Sequence, residues 1–380
     1  MTTVGDNLDT LTEAIARAMR RAELVITTGG LGPTNDDITK KAVCKYFKRP
    51  LIFYENILKR IKERFDKRGI EMPAINQNQA LLPQGAEFID NDLGSAMGIA
   101  IEEDSHLFVS LPGVPVEMKP MVEGWVCKAI KSRSGDKITV HRKIRTVGIM
   151  ESAIYEKIAD YIDPKKMIKS EKITVAFLPS WRGVDIRLTA QTINEHSGNQ
   201  RIKELEEKIT QPIKEYIYGY DNDELAKVVG DMLRANRLTV AVAESCTGGL
   251  LGTLLTDIPS SSDYFLGGYI VYSNELKMKL LSVPSIILEK YGAVSEECAT
   301  YLAEGVMRQT GADIGVSITG IAGPSGGTPE KPVGKVFVGL AAADYTKVEE
   351  LQFGGDRGCN RERSATMALD IIRRYLLEKN

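Results

Sequence analysis

The apolar run Leu238 to Ala243 stops abruptly at Glu244-Ser245-Cys246-Thr247, and Gly248-Gly249 lead into the helix-like run Leu250 to Ile258. A strand that ends in a polar turn and two glycines ahead of a helix commits this region to alternating β and α elements. It is also an arrangement suited to chemistry. The strand end exposes a nucleophile, and the glycines let backbone N–H groups approach an anion at a helix N-terminus. An ordinary β–α turn carries the same pattern, so function must be argued from the surroundings.

The chain has 380 residues, enough for two or three domains. Lys+Arg number 49 against 51 Asp+Glu, so no overall charge favours nucleic acid or an anionic membrane. No apolar run approaches the ~18–20 residues that span a bilayer. The start, MTTVGDNLDT, lacks the basic and apolar regions of a signal peptide. Five cysteines (44, 127, 246, 298, 359) are scattered and never form CxxC. That usage suits reduced thiols and a cytoplasmic location, with no disulfide framework or zinc site. The three histidines, His106, His141 and His196, all precede residue 200, and none has metal-ligand spacing.

Early in the chain, Leu8, Leu11, Ile15 and Met19 recur at helical spacing, and Leu24 to Thr27 reads as a buried strand. Thr28-Gly-Gly-Leu-Gly-Pro-Thr-Asn-Asp-Asp-Ile-Thr39 follows, then a helix to about Phe47. Gly29, Gly30 and Gly32 permit a tight loop, with Thr34 beside them. Asn35, Asp36 and Asp37 stand where helix caps belong. Capping accounts for one acid; glycines and two acids together point to a phosphate or metal–phosphate site. The stretch is neither GxGxxG nor a Walker A. Glu117 follows the strand Leu107 to Leu111, a second carboxylate at a strand end, although helix-dipole decoration would place it there too. Asp36, Asp37 and Glu117 are thus candidate ligands for a divalent cation such as magnesium. The basic runs Lys40 to Arg49 and Lys59 to Arg68 read as solvated faces of amphipathic helices rather than nucleic-acid patches.

Around residues 132–136 the pattern changes. Strand-like 138–147, helix-like 151–161, strand-like 173–178 and 184–191, and a charged helix over 198–215 make a small α+β connector with no catalytic constellation. From 221 the elements alternate again, which implies a three-layer α/β domain. The expected division is 1–137, 138–220 and 221–380.

Three polar features leave strand ends in the last domain: Ser245 with its glycines, the loop Gly320 to Thr328, and Gly354-Gly-Asp-Arg357. In an open α/β sheet such ends converge on one crevice. With no histidine nearby, Ser245 needs another base. A desolvated lysine serves, because burial disfavours its charge. Lys277, just after a strand end with Tyr272 and Ser273 beside it, is the candidate; a surface helix lysine is the plain alternative. Cys246 is the rival nucleophile. Arg357 suits a phosphate.

At these residues the chain resembles the CinA family. AESCTGG (243–249), GGYIVYSNELK (267–277), GAVSEE (292–297), SITGIAGPSGG (317–327), KPVGKVF (331–337) and GGDR (354–357) look like its C-terminal domain. TVGDN (3–7), TTGGLGPTNDDIT (27–39), NQNQALLPQGA (76–86) and LPGVPVEMK (111–119) look like its N-terminal domain, which is related to molybdopterin-binding proteins. The middle unit resembles the family's KH-like connector.

The resemblance implies a nicotinamide mononucleotide deamidase in the last domain, needing no cofactor. Carried over by motif, Ser245 is the nucleophile, Lys277 its base and Tyr272 the neighbour that positions them. Thr319 lines the site and Arg357 holds the substrate. Thr247, Gly248, Gly249, Gly320 and Gly323 complete the expected binding set, with N–H groups near Gly248 or in 320–323 facing the oxyanion. For the first domain the resemblance implies an ADP-ribose pyrophosphatase using a divalent cation and the Gly29–Thr39 loop. Family members carry an additional strand–helix unit with Gly-Asp-Glu-Leu-Leu ahead of the segment where this sequence starts. A first sheet lacking that strand, with weak or no pyrophosphatase activity or a partner segment at its edge, is therefore expected. A small nucleotide as ligand, a homodimer, and no nucleic-acid or membrane partner complete the expectations. A metal-dependent phosphohydrolase and a noncatalytic nucleotide-binding scaffold are the competing readings.

Overall fold

The structure, a computed structural model, describes residues 1–135, 138–163 and 173–379. The chain divides into two compact units, Met1–Asp136 and Lys137–Asn380.

In the first unit, α1 (Leu8–Met19) starts at Asn7, whose side chain accepts from the N–H groups of Asp9 and Thr10. β1 (Leu24–Thr28), α2 (Thr39–Phe47), β2 (Leu51–Phe53) and α3 (Glu55–Lys67) follow, then β3 (Leu81–Pro83), β4 (Glu87–Ile89), β5 (Gly98–Glu103), β6 (His106–Leu111), α4 (Pro115–Met121) and α5 (Cys127–Lys131). One sheet has the order β1-β6-β5-β4, with β1 parallel to β6 and the other pairs antiparallel. β2 and β3 form a separate ribbon. The basic run 59–68 is the outer side of α3, which buries Ile57 and Ile61 and leaves Lys59, Lys62 and Arg68 exposed.

The second unit opens with β7 (Ile138–Thr146), α6 (Glu151–Ile162), β8 (Ile173–Ser180), β9 (Gly183–Thr192), α7 (Glu195–Thr210) and β10 (Ile217–Tyr220). Their sheet, β10-β7-β9-β8, is antiparallel throughout. Ile144, Ile186 and Leu188 on its inner face pack on Ile154 and Ile158 of α6 and Ile202, Leu205 and Ile209 of α7. β10 was not anticipated: the sequence pattern ends this unit with the charged helix over 198–215.

The chain continues through α8 (Leu225–Asn236), β11 (Val240–Glu244), α9 (Leu250–Thr256), β12 (Phe265–Ile270), α10 (Asn274–Leu281), α11 (Ser285–Tyr291), α12 (Glu296–Thr310), β13 (Ile314–Gly320), β14 (Lys335–Ala342), β15 (Tyr345–Gln352) and α13 (Arg357–Glu378). The sheet order is β12-β11-β13-β14-β15. Alternation along β11 explains the three layers. Val240 and Val242 pack with α8, α9 and α13 through Val229, Leu251, Leu255, Leu369 and Ile372. Ala241 and Ala243 pack on the other side with Leu281, Leu302 and Val306 of α10 and α12. Small residues on that side let α12 lie close to the sheet. Fully burying a Leu or Val contributes roughly 1.5–3 kcal/mol, so both faces hold the sheet firmly. Among the described residues, no helix is long and apolar enough to cross a membrane.

β11, β12 and β13 run parallel. β14 reverses and β15 reverses again. The C-terminal ends of β11, β12, β13 and β15 therefore share one sheet edge, and the segments leaving them build the site.

Candidate functional site

Ser245 is the first residue past β11. Its N–H donates to Ile318 O at 3.0 Å, which extends the ladder by one step and fixes where the turn begins. β12 ends at Ile270, two residues earlier than its sequence pattern suggests. Val271 and Tyr272 leave the sheet and turn their carbonyls to Lys277, whose Nζ donates to them at 2.7 and 3.0 Å. Ser273 caps α10 by accepting from the N–H of Leu276, which sets Lys277 on the first turn. Lys277 Nζ then lies 3.2 Å from Ser245 Oγ. Lys277 is only 1% exposed, and burial pulls its pKa below the ordinary lysine value. A neutral amine has two N–H groups and one lone pair. When Lys277 is neutral, the two carbonyls take its N–H groups and the lone pair faces the Ser245 hydroxyl.

Cys246 is buried, and desolvation pushes its thiol up to about 11. Cys298, close enough to Lys277 to feel its charge, is also raised to about 11 by burial. Both are protonated near neutral pH, so Cys246 is no activated nucleophile.

The glycines after Ser245 do not point their N–H groups at a ligand, contrary to the reading of the turn as an open anion site. Glu244, 1% exposed, accepts from Gly249 N–H at 3.0 Å, Leu251 N–H at 3.1 Å and Gly252 N–H at 2.8 Å. Its carboxylate already occupies the N-terminus of α9. Gly248 N–H donates to Ser245 O at 3.2 Å. Gly248 and Gly249 have φ of 59° and 96°, a region open to glycine at little cost. Thr247 Oγ1 is buried with no hydrogen-bond partner among the described residues.

Thr319 and Gly320 end β13. Thr319 is buried and donates its hydroxyl to Ala293 O at 2.6 Å, tying the β13 end to the segment before α12. Gly320 lets β14 approach, since a Cβ there would overlap Val336. Arg357 is the first residue of α13, donating from Nη1 to Gly323 O at 2.8 Å and from Nη2 to the Tyr272 hydroxyl at 3.4 Å. Tyr272 is 62% exposed, so its backbone carbonyl positions Lys277 while its side chain stands at the rim. The structure thus brings Ser245, Lys277, Tyr272, Gly323 and Arg357 together. It adds three residues that had no role assigned from the sequence pattern: Glu244, Asn360 and Arg361. Asn360 Nδ2 donates to Ala322 O at 3.0 Å, and Arg361 donates to Thr247 O. The spacing 357, 360, 361 on one helix was the available signal.

The first unit's loop is arranged differently from expectation. Gly30 is needed because a Cβ would overlap Thr39, whose N–H donates to Gly30 O and whose hydroxyl donates to Gly29 O. Gly32 packs against Asp37, which accepts from both the N–H and the hydroxyl of Thr34 at 2.9 and 2.6 Å. Asp37 therefore closes its own turn. Glu117 accepts from Asn91 Nδ2 at 2.7 Å and packs against Gly94. Among the described residues, no three His, Cys, Asp or Glu side chains are grouped to hold a metal ion. Asp36, Asp37 and Glu117 do not stand together as a group of three ligands; Asp37 is engaged by Thr34 and Glu117 by Asn91. Lys40, expected on a solvated helix face, is instead 6% exposed and donates to Asn78 O at 2.6 Å. Burial lowers its pKa to about 8.

Three family models match the chain: a probable molybdopterin binding domain over residues 1–132, the damage-inducible protein CinA KH domain over 141–219, and the CinA C-terminal domain over 222–376. A CinA-like protein of Dictyoglomus thermophilum is 43% identical over 376 residues, covering 99% of this chain and 90% of that protein. A CinA-like protein of Kosmotoga olearia is 42% identical over 376 residues with the same coverage. Among solved structures, the competence/damage inducible protein CihA from Agrobacterium tumefaciens is 35% identical, covering 40% of this chain and 93% of its own, with a TM-score of 0.39.

Proposed function

Since the chain belongs to the CinA family, we propose that its last domain is an amidohydrolase converting nicotinamide mononucleotide to nicotinic acid mononucleotide and ammonia. The observation that carries this reading is the 3.2 Å separation of Lys277 Nζ and Ser245 Oγ in a buried setting that favours the neutral amine.

The Lys277 amine takes the Ser245 proton as Oγ attacks the carboxamide carbon. The oxyanion forms near the start of the turn, where we assign the Cys246 and Thr247 N–H groups as its donors. The Lys277 ammonium returns its proton to the departing nitrogen, which leaves as ammonia. Water, deprotonated by the same amine, then hydrolyses the Ser245 ester to the carboxylate. Arg357 uses two of its five N–H donors on Gly323 and Tyr272, and the rest are available to the substrate phosphate. Every step runs on these side chains and water. In the first unit no three His, Cys, Asp or Glu side chains group together among the described residues, and no hydrolysis is assigned to it.

The test is ammonia release from nicotinamide mononucleotide, with and without chelator. Wild type and Cys246→Ala should release ammonia at similar rates, chelator should not matter, and Ser245→Ala should lose at least about 10³-fold. An undiminished Ser245→Ala rate would exclude the serine mechanism.

A further inference from the structure

One face of α13 reaches every segment of the site except the lysine helix itself. Arg357, Asn360 and Arg361 stand at i, i+3 and i+4 and so share that face. Arg357 holds Gly323 O, and Asn360 holds Ala322 O and, at 3.4 Å, Gly355 O. Arg361 is aimed at the nucleophile turn. Its Nη2 and Nε donate to Thr247 O at 2.7 and 3.3 Å.

Thr247 is two residues past Ser245. The turn is fixed at its start by Ser245 N–H on Ile318 and at its end by Glu244 on Gly249, Leu251 and Gly252. Its middle leads into two glycines in left-handed conformations, the most permissive backbone available. Among the described residues, Thr247 O otherwise receives only a long bond, from Leu250 N–H at 3.4 Å. The guanidinium is therefore the principal tether on the middle of the turn. Two N–H groups on one oxygen define its position more closely than one could.

We propose that Arg361 is a positioning residue for catalysis at Ser245: by holding the Thr247 carbonyl it keeps Oγ in register with Lys277 Nζ. This rests on the reading of Ser245 as nucleophile. Substrate binding is tethered separately, because Arg357 is held by Gly323 and Tyr272. Lys277 is held by Val271 and Tyr272, which Arg361 does not touch. Loss of Arg361 therefore lowers kcat while KM and the pH profile stay as they were.

The experiment uses the full chain with Arg361→Ala and Arg361→Lys. Two rates are followed: ammonia release from nicotinamide mononucleotide, and acylation of Ser245 by p-nitrophenyl acetate, read by intact mass. Arg361→Ala should lower kcat on the order of 10–100-fold, as a misplacement near 1 Å does, with KM little changed. Ser245 acylation should slow in proportion. Arg361→Lys should fall between, and millimolar guanidinium should restore part of the Arg361→Ala rate. An unchanged kcat, a loss confined to KM, or a lowered melting temperature with no guanidinium rescue would each overturn the proposal. If wild type acylates at Ser245 but releases no ammonia, the substrate reading fails while the acylation rates still decide Arg361. If wild type does neither, both fall together.

Discussion

Glu244 Oε1 accepts the Gly252 N–H at 2.8 Å, so the residue before Ser245 caps the helix that follows it. Five residues, 245–249, separate strand from helix, and the strand's last residue fastens its buried carboxylate to the helix start. Ser245 is held where the strand stops because its neighbour is fastened to the helix start.

Glu244→Gln keeps the shape and replaces one acceptor oxygen with a donor amide that faces backbone N–H groups. Hydrogen bonds to a charged acceptor contribute more than neutral ones, and the helix dipole adds to them. The expected loss is about 2–3 kcal/mol in urea unfolding of the full chain, together with reduced deamidation. Unchanged stability would mean that the three N–H groups find other partners.

Deamidation should depend on pH through Lys277. Burial lowers its pKa, so the active neutral amine forms below the usual lysine range near 10.5. The rate should climb with pH to a plateau reached before 10.5. A climb confined to higher pH would contradict the assignment. Lys277→Arg keeps the charge but stays protonated, and should cost about 10²–10⁴ in kcat. For stability the sign is the same. Between the lowered folded value and the unfolded one, the unfolded chain binds the extra proton, so stability rises with pH across that window.

Lys40 gives a second linkage in the other unit. Its folded pKa is about 8 against 10.5 for a free side chain. Below about 8 the native state carries the whole cost of a buried ammonium. From there to 10.5 only the unfolded chain is protonated, and stability rises with pH. Compared with Lys40→Met, wild type should gain on the order of 3 kcal/mol across this interval. Urea midpoints of both proteins at pH 7.5 and pH 10 check it; a constant difference would remove Lys40 as the cause.

The chemistry-bearing part of the site was legible because it follows from topology. Ser245, Lys277 and Arg357 each follow a strand whose C-terminal end lies at one sheet edge, and the alternating pattern implied that edge. Glu244 was hidden because it reads as the polar end of an apolar run; its role needs the helix N-terminus folded back against it. Arg361 was hidden by Arg357, since only the path of the turn shows that the second guanidinium reaches Thr247. Thr319 was expected to line the site, and its hydroxyl is spent on Ala293. In the first unit the sequence showed three carboxylates but not their competition. Asp37 is satisfied by Thr34 and Glu117 by Asn91, within a few ångströms of where they start. Strand β10 and helix α11 were missed because segments of 4 and 7 residues carry too little periodicity to stand out.

Helix α13 has an anchor at each end of its span. Arg373, buried to 2% exposure, donates to Ile217 O and Glu215 O in the connector at 3.1 and 2.8 Å and is braced by Asp370. Sixteen residues earlier, Arg357 grips the glycine loop, a distance of about 24 Å along the axis. A helix resists bending far more than the loops it joins, so α13 is a strut with the connector bolted to its foot and the Ser245 turn to its head. The same helix thus ties the connector to Thr247 and Gly323, and the connector is coupled through one rigid rod to the turn that carries Ser245 without approaching it.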